Sequence, residues 1–338
     1  ISTQATAPVP SGDFENLDLA APTGVSVIAA LPNNATPRVS QFNLQIQRQL
    51  DSSSSISLAY VGTTARYLTR NYNQNQQLFG TAPGTELFPV LGSITVLDNH
   101  GNSNYNSLQA QYERRLTKGL QFLGAFTWSK TIDDACGLDN CAPQLFSDFS
   151  IERGRSNIDQ PYRLVLSSLY ELPLGRGKRW GSNWSRPVDW AIGGWQLNGI
   201  YTLQAGLPFS VTVDGNPSST RADLTGTPSI NPGNLNAYIN KTGFSVPAST
   251  GGVFDAPGTS GRDILQGPGS SNMDLAIFKN IQVNERVRTE LRLQVYNLTN
   301  TPHFANPNSD FSSGSFGQIT GTQPFSFRQV ELGLRVTF

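Results

Sequence analysis

Hydrophobic and polar residues alternate along much of the chain. From Gln329 to Phe338, Val330, Leu332, Leu334, Val336 and Phe338 share one parity, and Gln329, Glu331, Gly333, Arg335 and Thr337 share the other. Successive side chains of a strand point to opposite faces, so this spacing predicts a strand with one apolar and one polar face. Arg286 to Tyr296 repeats the pattern, with Val287, Thr289, Leu291, Leu293 and Val295 opposing Arg286, Arg288, Glu290, Arg292, Gln294 and Tyr296. Similar alternation runs through Val39–Leu50, Tyr105–Leu116 and Gly194–Ala205. It is weaker in Ile56–Gly62, Leu120–Lys130, Arg163–Leu172 and Met273–Ile281. Nine strands are predicted.

A soluble β-sandwich also alternates. Two features favour a membrane-spanning antiparallel barrel. Several strands exceed the common globular length of ~5–6 residues. Their polar faces carry Gln, Asn, Arg and Glu, which suits a wet interior. Loop lengths sort by parity as well. Asp51–Ser55, Thr117–Gly119 and Gln282–Glu285 read as tight turns, and 173–191 as an intermediate connection. The connections around 68–102, 133–160, 206–270 and 299–324 are long. Outer-membrane barrels place short turns at the periplasmic end and long loops outside. With Phe338 at the periplasmic end, residues 1–37 become an external loop or extension and 38–338 the wall. Nine strands with an external start predict the C-terminal part of a larger barrel, since complete bacterial barrels have an even strand number.

Composition agrees. The 338 residues include 32 Gly, 21 Pro, 27 Asn and 21 Gln, residues that disfavour an all-α fold. The 24 basic and 24 acidic residues cancel, so an electrostatic nucleic-acid binder is not expected. Apolar runs reach about five residues, whereas a transmembrane helix needs roughly 20. Trp180, Trp184, Trp190 and Trp195 cluster near one turn, with Trp128 near the other end of its strand. Tryptophan favours the membrane–water boundary, although packing in turns or core also accounts for such residues.

Stretches of the chain resemble TonB-dependent outer-membrane receptors of the Oar-like branch, which carry a carboxypeptidase-regulatory-like domain. They are Asn104–Gln109 with Tyr112–Arg115, Phe126–Lys130, Asp159–Arg163, Gly194–Gly199, Gly206–Phe209, Tyr296–Asn300 with His303-Phe304, and Arg328–Phe338. The resemblance covers roughly 38–338. It implies a barrel of about 22 strands with an internal plug, driven by an inner-membrane energy-coupling complex through a short N-terminal box. It implies ligand uptake, with the external loops recognising a ligand the sequence does not identify. It also makes the terminal Phe338 a signal for the barrel insertion machinery. A non-transporting surface or structural protein, binding or polymerising, is the alternative.

Candidate chemistry is sparse. Cys136 and Cys141 in an external, oxidising loop favour a disulfide; free thiols and metal ligation are the alternatives. Asp133, Asp134 and Asp139 offer oxygen ligands for Ca²⁺, but also read as a solvated acidic loop. The Gly-rich basic segment Gly175–Arg179 lacks phosphate-loop spacing. His303 is either a ligand contact or part of a structural turn. With His100 as the only other histidine, no catalytic triad or acid–base pair is expected, nor any cofactor. The charges Arg286, Arg288, Glu290, Arg292, Arg328, Glu331 and Arg335 are expected to face the lumen, because charges facing lipid near the midplane cost ~2–4 kcal/mol each. They pair across strands, hold a plug, or contact substrate.

Overall fold

The computed structural model describes residues 25–89, 91–135, 142–218, 220–284 and 286–338. Nine strands form one antiparallel path. They are β1 (Arg38–Gln49), β2 (Ser54–Asn73), β3 (Leu91–Thr117), β4 (Leu120–Asp133), β5 (Tyr162–Glu171), β6 (Trp195–Gln204), β7 (Ser270–Gln282), β8 (Arg288–Tyr296) and β9 (Gln329–Thr337). Each pairs with its sequence neighbours, and among the described residues β1 and β9 are not paired with each other. This is the up-and-down order expected from the alternation.

Register carries each face across the whole sheet. One row runs Ile46, Leu58, Ala110, Phe126, Leu164, Leu203, every neighbour directly opposite the last. Another runs Tyr170, Leu197, Ile277, Leu293, Leu332. On the other face Gln45, Ala59, Gln109, Thr127, Arg163, Gln204 and Ser270 are likewise aligned. Because the side-chain period is two, a slip of one residue would send every apolar side chain to the polar face. The apolar rows are exposed at Ile46, Leu58, Phe126, Leu332 and Leu334. An apolar sheet face left open in this way matches lipid and not water.

The turns explain the register. Lys118 (φ 52) and Gly119 (φ 83) both take left-handed backbone between β3 and β4, the two-residue geometry that matches strand twist. A side chain at Gly119 would lie 2.7 Å from the Glu171 carbonyl. In the β1–β2 turn, the Asp51 carboxylate accepts from the Ser53 amide at 2.7 Å and from the Ser54 hydroxyl at 2.6 Å. These bonds hold that carboxyl well below the usual range.

Several expectations are corrected. β2 and β3 are 20 and 27 residues long, far beyond the predicted 56–62 and 105–116 and beyond the ~9–11 a bilayer needs. Their ladder shifts register around Leu68, next to Tyr67 at φ 58. The extra length continues past this bulge as a two-stranded projection, so the long connection shrinks from 68–102 to 74–90. Val25–Ala30 pairs in parallel with the far part of that projection, Leu91–Leu97. The 173–191 connection holds a helix, α1 (Arg186–Ile192), opened by Pro187 in its first turn. Trp190 donates its ring N–H to the Gln282 carbonyl at 3.0 Å, tying α1 to the β7–β8 turn. Lys279 lies on the apolar face but is drawn to the end of α1, donating to the Ala191 carbonyl at 3.2 Å and to that of Gly193. There it meets the negative end of the helix and the Trp195 ring, 4.9 Å away.

The main hydrophobic core lies outside the sheet. Phe209, Val211, Val213, Ala222, Tyr238, Ile239, Phe244, Phe254, Leu265 and Ile319 pack together, flanked by Phe79, Phe304, Phe311 and Phe316. These residues come from the connections at the long-loop end, which therefore form a folded lobe and not free loops.

The face assignment is directly testable. Leu293→Arg places a charge between Ile277 and Leu332 on the apolar face. We expect it to cost about 2–4 kcal/mol in bilayer refolding. Gln294→Arg, one residue along on the polar face, should change stability by no more than about 0.5 kcal/mol.

Candidate functional site

The lobe is held by buried polar struts. Gln144, fully buried, joins three connections. Its carbonyl accepts from the Gln76 side chain at 2.7 Å, its side-chain oxygen accepts from the Arg221 and Gly258 amides at 2.7 and 3.0 Å, and its own amide donates to Glu152 at 2.9 Å. Glu152 in turn meets the Arg221 guanidinium at 2.7 Å, both side chains buried. Arg155 pairs with Asp159 at 3.0 Å and donates to Gln266 at 2.6 Å. The fourth long connection joins through the amide of Thr212 to the Ser309 carbonyl at 3.0 Å, and the amide of Phe311 to the Thr212 carbonyl at 2.8 Å. Such pairs add little net stability, but removing one partner leaves a buried charge uncompensated, so they specify one loop arrangement.

Asp133, a candidate cation ligand, instead faces Arg262. Asp134 accepts from the Asn102 amide and side chain at 2.5 and 3.1 Å. Cys136, Cys141 and Asp139 lie outside the described residues.

At the long-loop end of β6 to β9, on the polar face, lies a pocket of about 440 Å³. Its floor is built by β6 (Thr202, Gln204), β7 (Ser270, Asn272, Asp274), β8 (Tyr296) and β9 (Gln329, Glu331); His303, Gln323 and Phe325 come from the connection after β8. The Tyr296–Asn300 segment shapes this wall. Asn297 is buried at φ 49. Its side chain donates to the carbonyls of Thr301 (2.9 Å) and Ser326 (2.8 Å) and accepts from the Thr301 amide (3.0 Å). The Asn297 amide donates to Asp274 at 2.8 Å. His303 lines the pocket, its ring 3.3 Å from the Ser271 carbonyl.

The charge row divides. Glu290 faces Arg335 across the β8–β9 ladder and meets Arg292 on its own strand at 3.0 Å. Arg288 donates to Asn280 at 2.9 Å. Glu331, opposite Gln294, belongs to the pocket instead. Arg286 and Arg328 fall outside the strands. By parity Arg328 goes with Val330, and its backbone amide reaches Asn300 at 3.3 Å, so it is not part of the ladder. Phe338 extends the apolar row one residue beyond β9 and is almost fully exposed.

Sequence reasoning missed Phe325, whose neighbours show no alternation, and the lobe core, which is assembled from separate connections. The role of Asn297 has one local signal, an asparagine just beyond an alternating strand, because Asn tolerates left-handed backbone.

An apolar belt, a polar opposite face and an up-and-down antiparallel path define an outer-membrane β-barrel wall. The model of the outer membrane beta barrel domain family matches residues 1–331, and the chain belongs to that family. Among solved structures, the chain is similar to the outer membrane transporter YddB from Escherichia coli, with 10% identity and a TM-score of 0.51 over 93% of this chain and 34% of that one. The FrpB iron transporter from Neisseria meningitidis (F3-3 variant) aligns at 12% identity and TM-score 0.47, over 92% and 33%. BauA, the ferric preacinetobactin receptor from Acinetobacter baumannii, aligns at 10% and 0.46, over 93% and 32%. The chain thus spans about a third of the length of these structures. No curated protein matches it in sequence.

Asp263 gives the lobe a pH signature. Burial raises its carboxyl pKa, against the pull of the Ser210 hydroxyl bond and Arg262. The neutral acid is the form the fold favours. Its contribution is therefore full below the ordinary value of 3.8 and is lost as pH rises through the raised folded value. Asp263→Asn keeps the acceptor for Ser210. We expect the variant's lobe to resist amide exchange better than wild type at pH 7, with the two converging below the ordinary carboxylate range.

Proposed function

We propose that this chain is the C-terminal part of the wall of a TonB-dependent outer-membrane transporter of the Oar-like branch, non-enzymatic and serving ligand uptake. The observation that carries this reading is the polar pocket at the long-loop end of the wall, closed on one side by the connection after β8, which also joins the folded lobe. A polar pocket at the mouth of the wall, bordered by a folded connection, is an arrangement for capturing a solute; a purely structural barrel has no need of one. Among the described residues β1 and β9 each pair on one side only, which fits a wall continued by further strands, since open sheet edges do not persist in lipid. In this reading the long connections are external and Phe338 lies at the periplasmic end, where it serves as an assembly signal for the insertion machinery. The Arg288, Glu290, Arg292 and Arg335 cluster faces the lumen, where a plug would meet it. The same reading pairs Cys136 and Cys141, which lie outside the described residues, as a disulfide of the oxidising exterior.

The alternative, a surface protein that binds or polymerises without transport, is separated from this one by energy coupling. The full-length gene product, carrying a photo-crosslinker in its N-terminal segment, should capture the inner-membrane energy-coupling protein in living cells. Absence of that crosslink at normal outer-membrane abundance would favour the alternative.

A further inference from the structure

The pocket has a distinctive chemistry. Five amide side chains line it, those of Gln204, Asn272, Asn297, Gln323 and Gln329, together with the carboxylates of Asp274 and Glu331. Amides offer donors and acceptors, and carboxylates accept. None of its lining residues is Lys or Arg, so an anionic ligand would meet two carboxylates with no counter-charge, an arrangement that rejects it. The volume of about 440 Å³ falls within the ~300–1,000 Å³ of small-molecule sites.

Phe325 is the second observation. It is 79% exposed and sits at φ 58, a left-handed conformation that bulky side chains rarely adopt. Such strain persists only where the surroundings impose it, and it gathers at ligand sites. Here Asn297 and His303 impose it from either side of Ser326. The Asn297 side chain holds the Ser326 carbonyl at 2.8 Å, and the His303 amide holds the Ser326 hydroxyl at 2.6 Å. The neighbouring residue is thus locked in place while a large apolar ring is held open beside a polar floor, with Tyr296 also lining the pocket.

A ligand that satisfies this surface carries many hydroxyls and one apolar face. Hydroxyls donate to Asp274 and Glu331 and exchange hydrogen bonds with the amides, while a ring face of C–H groups covers the aromatic rings and excludes water. We propose that this pocket binds a neutral oligosaccharide, with Phe325 as its stacking platform and Asp274, Glu331 and the surrounding amides gripping its hydroxyls. The proposal rests on the receptor reading and narrows its ligand class.

The test applies the full-length protein, purified from outer membranes in detergent, to an array of neutral glucans, xylans, mannans and galactans. Sialylated glycans and a ferric tricatecholate complex serve as anionic comparators. At least one neutral class should be retained. For that glycan, Phe325→Gly should weaken affinity about tenfold or more by calorimetry. It should leave the thermal midpoint unchanged or raised, because glycine adopts the left-handed backbone freely. Glu331→Gln should weaken binding as well, whereas Gln111→Ala, on the polar face of β3 away from the pocket, should not. Retention of the anionic ligands alone, no retention of any neutral glycan, or unaltered affinity in Phe325→Gly would each overturn the proposal. With the energy-coupling crosslink intact, these results would leave the transporter reading standing.

Discussion

Inside a bilayer, every backbone N–H and C=O must find its partner within the protein, because lipid offers none. Between β1 and β9 that requirement is met by one continuous ladder, and the ladder fixes much else. A strand's two faces are locked to its register, so pairing Leu58 with Ala110 and Ala110 with Phe126 also places Ala59, Gln109 and Thr127 on the opposite face. Lipid-facing chemistry and lumen-facing chemistry are set together. The Glu290–Arg292–Arg335 cluster and the pocket floor at Gln204, Asn272 and Asp274 are on the polar side for the same reason that Leu291 and Leu293 are not.

Beyond the apolar belt the constraint relaxes, and a different one takes over. There the backbone can bond to water, and the connections are stabilised by burying apolar area in a core of their own. Phe209, Val211, Phe244 and Phe254 do this, while Gln144, Glu152 and Arg221 tie the segments together in one arrangement. The lobe then acts on the pocket through its margin. Asn297 and Ser326, both buried, connect the top of β8 to the segment bearing Phe325. The division leaves a wall that cannot change register and a mouth whose sequence can vary at little cost to the wall.

Much of the wall was legible in the sequence. Strict alternation in 286–296 and 329–338 gave strands and faces, and Lys118-Gly119 gave a tight hairpin, because those signals are local. The extension of β2 and β3 was not legible, since Arg66–Asn73 and Leu91–Asn102 carry polar residues on both faces and pair outside the lipid, where alternation is not required. The short helix at Arg186–Ile192 was hidden by the Pro, Gly and Trp around it. The lobe core escaped because its residues sit in two-residue strands and turns; Val211 and Ile319 meet only after the fold forms. Arg328 was misplaced by counting it with a strand that begins at Gln329. Of the pocket, the sequence pattern points to Gln329, Glu331, His303 and the Tyr296–Asn300 segment. The strained Phe325 depends on tertiary bonds that no local pattern records.

The central claim is that one register assigns each residue of a strand to lipid or lumen. Nitroxide scanning of β8 tests it most directly, using the full-length protein in bilayers with Cys136→Ser and Cys141→Ser as background. Labels at Leu291, Leu293 and Val295 should be relaxed strongly by oxygen and weakly by a nickel chelate, and labels at Glu290, Arg292 and Gln294 should show the reverse. Accessibility that fails to alternate, or that alternates in the opposite phase, would contradict the account.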